Sequence, residues 1–223
     1  MLPTKIYDLS QPVFTNCPQY SDANPRPAQI RLFYTLAVQG VNKEIVEIST
    51  HTGTHCDAPF HFFDDGATID QTPLESYVGP AEILDLRQHV PGSSIARADI
   101  ARSADRIDPG DIVLLNTGGG RRRANSKDFL TDYVYLEGEA AQLLVDLGVK
   151  GVGIDAVSIG AYDDPQKGGA PHRALLGNGR FIVEELFFPA EVMDGRKRLF
   201  CAAPIKLQGC GGAWARAMLW EFD

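Results

Sequence analysis

Eleven consecutive residues, HTGTHCDAPFH from His51 to His61, hold three of the chain's five histidines and an aspartate. Their spacing restricts the local backbone. His51 and His55 stand at i and i+4, as on one helix face, but the intervening residues argue against a helix. Thr50, Thr52 and Thr54 are β-branched, Gly53 is a poor helix former, and Pro59 lies just beyond. The stretch reads as the end of a strand passing into a turn. In extended backbone His55 and Asp57 share a face and Cys56 points the other way. His51 sits about 13 Å back along a fully extended chain, so it reaches the same point only if the backbone curls. Gly53 tolerates positive φ and is the residue that permits a curl. Imidazole nitrogen and carboxylate oxygen together suit zinc, manganese or iron(II).

His61 follows Asp57 by four residues, beyond Pro59. As a fourth protein ligand it would close the coordination shell; as a free histidine it would move protons, which is the role expected. Cys56 as a thiol nucleophile is the competing reading, and strand alternation points it away. A second cluster, PHRALLGNGRFIVEEL, begins at His172 and ends at Glu184 and Glu185. Alternation along Phe181 to Leu186 places the two glutamates on opposite faces without saying which one faces the histidines.

Elsewhere, short β-rich runs alternate with a few helical ones. Ile6 to Leu9, Ile30 to Val38 and Glu44 to Thr50 read as strands, as do Ala81 to Leu86 and Asp111 to Asn116. Ser94 to Ala104 reads as a short helix. In Glu137 to Leu147, Ala140, Leu143, Leu144 and Leu147 fall at i, i+3, i+4 and i+7, the clearest helical pattern. Strands follow at Val152 to Ile154, Phe181 to Leu186, Leu199 to Ala203 and Trp214 to Phe222. No Gly/Ser linker or composition break interrupts residues 1–223, so the whole chain reads as one strand-rich α/β domain.

A net charge of -8 and a pI of about 5.1 argue against a nucleic-acid partner. The one basic run, Arg121 to Arg123, reads as a solvated loop. No stretch approaches the roughly 18 apolar residues of a membrane span. The opening MLPTKIYDLSQPV lacks the order of a signal peptide. Cys17, Cys56, Cys201 and Cys210 show no CxxC spacing, which fits free thiols in the cytoplasm. No G-x-S-x-G elbow is present around Ser158 or elsewhere.

HTGTHCDAPFHF resembles the signature of the cyclase-type metal-dependent hydrolases, which include bacterial kynurenine formamidase and isatin hydrolase. DLSQPV near the start, LLNTGGG at Leu114 to Gly120, VGIDAVSIG at Val152 to Gly160, and HRALL with VEEL fall in the family's order. The resemblance implies a swivelling β/β/α fold in a homodimer or homotetramer. It implies His51, His55 and Asp57 as metal ligands, His61 as the proton carrier and His172 as a catalytic histidine. Glu184 matches a family glutamate that joins His172 around a second ion where two are bound. The implied cofactor is one or two Zn2+ or Mn2+ ions, acting on a small aromatic or cyclic amide through an activated water. Formamidases resemble one another in a Trp-Pro-Gly-Asp element. Here the corresponding stretch is FTNCPQYSDANP, which has no tryptophan, so an isatin-like lactam is favoured over an aryl formamide. Phe14, Tyr20, Phe60, Phe62 and Phe63 are candidates for an aromatic substrate wall.

Overall fold

A computed structural model describes residues 2–20, 26–162 and 164–222. The strands in chain order are β1 Lys5–Asp8, β2 Gln29–Tyr34, β3 Lys43–Glu47, β4 His55–Asp57, β5 Val78–Asp85, β6 Ser94–Ile95 and β7 Ile112–Asn116. They continue with β8 Tyr135–Leu136, β9 Gly151–Ile154, β10 Phe181–Glu184, β11 Arg198–Cys201, β12 Gly212–Trp214 and β13 Met218–Glu221. The helices are α1 Leu36–Gln39, α2 Arg97–Ala101, α3 Lys127–Leu130, α4 Gly138–Asp146 and α5 Pro165–Leu176.

Nine strands form one mixed sheet ordered β1-β13-β11-β5-β7-β9-β10-β4-β12. The central strands β5, β7, β9 and β10 run parallel, with antiparallel neighbours on either side. β7 shows why its sequence is continuously apolar: both of its faces are covered. Val113 and Leu115 pack on the helix side with Ile100 of α2 and Leu144 of α4. Ile112 and Leu114 enter a second core with Val183 and Leu219. Burying a leucine such as Leu144 stabilises the fold by roughly 1.5–3 kcal/mol, so α4 is held by its apolar stripe. β12 and β13 follow one another in the chain yet sit last and second in the strand order, and Ser10 bridges to Leu186. The sheet therefore curls back toward itself, and the expected strand-rich α/β architecture is what forms.

Besides shifts of a few residues at several strand ends, three runs are broken up relative to the sequence reading. The run from Ile30 to Val38 breaks after Tyr34 because β2 and β3 pair antiparallel, so the chain must reverse through α1. Ser94 and Ile95 pair with β8 in parallel, which leaves only α2 of the longer expected helix; Asp99 accepts from the Ala96 N–H at its start. Trp214 to Phe222 splits in two because its halves serve opposite ends of the sheet. Among the described residues, no helix is long and apolar enough to cross a membrane.

Candidate metal centre and active site

β4 lies between β10 and β12, with Asp57 opposite Ile182 and Gly212, and His55 opposite Glu184 and Trp214. Directly paired residues share a sheet face. His55, Asp57 and Glu184 therefore project together, toward α5 and its His172. Cys56 pairs with Val183 and Ala213 and enters the second core, where its Sγ donates to the Ala202 carbonyl at 3.1 Å. Burial, with Asp57 beside it, pushes the Cys56 thiol well above its ordinary value. A thiol held protonated is no nucleophile, which removes the thiol-hydrolase reading.

Gly53 adopts φ +72°, and the backbone curls there. His51 Nδ1 comes to 2.9 Å from Asp57 Oδ1, and His55 Nε2 lies 3.4 Å from the same oxygen. His55 Nε2 is also 3.5 Å from Glu184 Oε2. His172 Nε2 approaches Glu184 Oε1 at 3.2 Å and Asp57 Oδ2 at 3.9 Å. The donors group into two clusters that meet at Asp57. One holds His51, Asp57 and His61, the other His55, Asp57 and Glu184, with ligand atoms in each within 4.8 Å of one another. The expected trio of His51, His55 and Asp57 is thus divided between them, and His61 stacks on His51 with ring centroids 4.0 Å apart.

Glu185 leaves this group. It takes φ +54°, which ends the alternation of β10, and its fully buried carboxylate turns away. Its Oε1 accepts from the Gly53 N–H at 3.1 Å and its Oε2 from Arg123 Nε at 2.7 Å. The Arg121 to Arg123 run is therefore no freely solvated loop: Arg123 is pulled inward by a buried carboxylate that needs a partner, and Arg121 donates to the Phe188 carbonyl.

The electrostatics call for a cation. Asp57 and Glu184 are both buried, and neither Asp57 oxygen nor His55 Nε2 has a hydrogen-bond partner among the described residues. The close approach of His51 lacks the alignment of a hydrogen bond. Burial opposes charge on His55, yet Asp57 and Glu184 push its pKa up to about 9. Burial likewise opposes charge on His172, which Glu184 and Asp57 raise. Orphaned carboxylate oxygens are costly inside a protein unless a cation meets them. Nitrogen and oxygen donors converging on that deficit fit a divalent metal ion.

Outer contacts fix the donors' orientation, as metal sites require. The Nδ1 of His55 is 2.8 Å from the Gly53 carbonyl, and that of His172 is 2.8 Å from the Gly168 carbonyl, which leaves both Nε2 atoms facing the centre. The Ile159 N–H donates to Glu184 Oε1 at 2.7 Å. Asp155 accepts from the Thr117 N–H and hydroxyl and from the Gly120 N–H, tying LLNTGGG to VGIDAVSIG beneath the site. Sequence reasoning missed Gly212, where a Cβ would lie 2.5 Å from the His51 ring. It also missed α5 itself, whose start is marked by Asp164 capping the N–H groups of Gln166 and Lys167 and by Pro165.

The Cyclase family model, described as "Putative cyclase", matches residues 7–161. This chain belongs to the Cyclase family. It is 36% identical over 183 residues to a kynurenine formamidase of Salinibacter ruber, covering 80% of each chain. A kynurenine formamidase of Bacillus cereus is 29% identical over 213 residues, 95% of each. A solved potential metal-dependent hydrolase with cyclase activity superposes with TM-score 0.80 at 30% identity, covering 98% of both chains. Isatin hydrolase A of Labrenzia aggregata shares the fold, with TM-score 0.88 at 22% identity over 98% of this chain and 94% of that one. With its buried donor clusters, the chain is a metal-dependent hydrolase of this family.

In this Cyclase-family chain the donors open into a cavity of about 1080 Å³ lined by His51, His61, His172 and Glu184. Of the expected aromatic wall, Tyr20 and Phe62 line it; Phe14, Phe60 and Phe63 do not. Phe14 lies under the Arg123 guanidinium, Phe60 is exposed, and Phe63 packs against the helix-side core. Tyr162, which sequence reasoning passed over, meets Tyr20 edge to face at 5.7 Å. Ser21 to Pro25 of the FTNCPQYSDANP stretch lie outside the described residues.

Proposed function

We propose that the chain hydrolyses the amide C–N bond of a small planar substrate, an aryl formamide or a lactam. His51, His55, Asp57 and Glu184 would hold zinc or manganese, as one ion or two. The observation that carries this reading is the buried Asp57 carboxylate, without a hydrogen-bond partner among the described residues, ringed by imidazoles behind His51, His61, His172 and Glu184, which line a large cavity. A divalent ion held there supplies Lewis acidity, which activates water and polarises a carbonyl at neutral pH. Burial, with His51 and His172 nearby, lowers the His61 pKa to about 4 against the pull of Asp57. His61 is therefore neutral at pH 7, and a ring nitrogen accepts the water's proton and returns it to the leaving nitrogen. His172 Nε2, 3.2 Å from Glu184 Oε1, would steady that carboxylate or add a nitrogen donor to a second ion. Tyr20 and Phe62 contact the substrate's planar body and keep water from the scissile bond.

Protein loaded with zinc or manganese is expected to hydrolyse formanilides or isatin, to lose that activity in chelator and to regain it when the ion returns. Activity that persists in protein shown to be metal-free, or no hydrolysis of any formamide or lactam, overturns the reading.

We also propose that the chain works as a homodimer or homotetramer. The β2–β3 ribbon packs in its own two-stranded sheet and exposes Leu32, Phe33, Leu36, Val38 and Val46. Such a ribbon is marginal alone and its apolar surface calls for cover. Light scattering is expected to give a multiple of the 24.3 kDa chain mass; the single mass refutes this.

A further inference from the structure

Arg173 follows His172 on α5 and lines the same cavity. Its guanidinium lies 5.5 Å from the Phe62 ring centroid, and Phe62 in turn stacks on the His172 ring at 4.4 Å. A site histidine, an aromatic plane and a cation thus run in sequence from the donor clusters toward solvent. The guanidinium also rests on Gly169, where a Cβ would stand 2.1 Å from Nη1. The missing side chain makes the place in which the arginine lies.

Arg87, Arg106, Arg123, Arg198 and Arg216 each meet a carboxylate. Arg173 meets none among the described residues, and neither does Arg26 on the same lining; what sets Arg173 apart is its seat on Phe62 and Gly169 beside His172. Asp164, the acidic residue nearest to it in sequence along the cavity lining, is occupied in capping α5. A planar fork of donors held on an aromatic face, with no internal partner, matches the geometry of a carboxylate.

We propose that Arg173 is a specificity-determining residue that binds a carboxylate on the substrate, at the end away from the scissile C–N bond. The assignment rests on the hydrolase reading above for the identity of the bond broken. It concerns a contact that the donor clusters do not make. The cavity has room for such an extended substrate: about 1080 Å³ exceeds the usual range for drug-sized ligands.

The test compares two formanilides that differ in one group, 3-(2-formamidophenyl)propanoate and its methyl ester, on the metal-loaded protein. The wild type is expected to favour the acid by about tenfold in kcat/KM, the low end for a charged hydrogen bond because the arginine is exposed. In Arg173→Gln that ratio falls toward one. Arg173→Lys retains only part of it, since an ammonium lacks the fork. Gly169→Ala, a change that favours the helix, lowers the ratio by displacing the guanidinium without removing it. Calorimetric binding of 3-phenylpropanoate and its methyl ester, which carry no amide to cleave, reads the same preference without turnover. A wild-type ratio near one, or a ratio unchanged in Arg173→Gln, overturns the inference while leaving the hydrolase reading intact. Binding that prefers the acid and depends on Arg173, in protein that cleaves neither formanilide, supports the inference and overturns the hydrolase reading instead.

Discussion

Asp57→Asn is expected to leave the purified protein nearly free of divalent metal and to lower turnover by at least about 100-fold. Outer partners of metal ligands alone are worth about 10–100-fold in affinity or activity. Asp57 stands nearer the centre than they do: it belongs to both donor clusters, and its two oxygens face His51, His55 and His172. Asparagine keeps the shape but removes the charge and turns one acceptor into a donor aimed at imidazoles. The companion variant His61→Ala separates ligand from proton carrier. It is expected to keep its metal while turnover falls by about 100-fold. Elemental analysis after dialysis, read beside rates, decides both. An Asp57→Asn protein with full metal content and ordinary turnover would sink the ligand assignment, and loss of metal from His61→Ala would make His61 a ligand.

Much of this centre was legible in the residues, because strand alternation is a strong local rule. It placed His55 and Asp57 together and Cys56 opposite, and Gly53 marked where the chain turns back. Where local rules were weak, tertiary contacts decided. Alternation could not choose between Glu184 and Glu185; the choice is made by Arg123 and Thr54, which hold the Glu185 side chain and carbonyl and support its positive φ. α5 was hidden because Gly168, Gly169 and Pro171 count against a helix interior by propensity. Those same residues earn their place through contacts: Gly168 offers its carbonyl to His172, and a Cβ on neighbouring Gly160 would collide with it. The β2–β3 ribbon was legible as strands, but its length was not, since only pairing shows where the chain must reverse.

Arg123→Met is expected to lower the melting temperature by roughly 10 °C. The Arg123 side chain is 5% exposed and that of Glu185 is fully buried. Burial already pushes the Glu185 carboxyl up, and the guanidinium opposes that shift. Removing one member of a buried pair costs about 3–5 kcal/mol, and each kcal/mol moves a domain of this size by about 2–4 °C. The loss also reaches the cavity. Arg123 Nη1 donates to the Pro12 carbonyl at 2.9 Å, while Glu185 holds the Gly53 N–H in the curl that presents His51 and His55. One ion pair therefore ties the segment leading to Tyr20 to the loop carrying His51 and His55. Pairing the change with Glu185→Gln should recover much of the loss, because a neutral amide still accepts from Gly53 without leaving a charge unmatched. Calorimetry of the two variants decides the matter: a melting temperature within about 2 °C of wild type for Arg123→Met would show that the buried pair holds nothing in place.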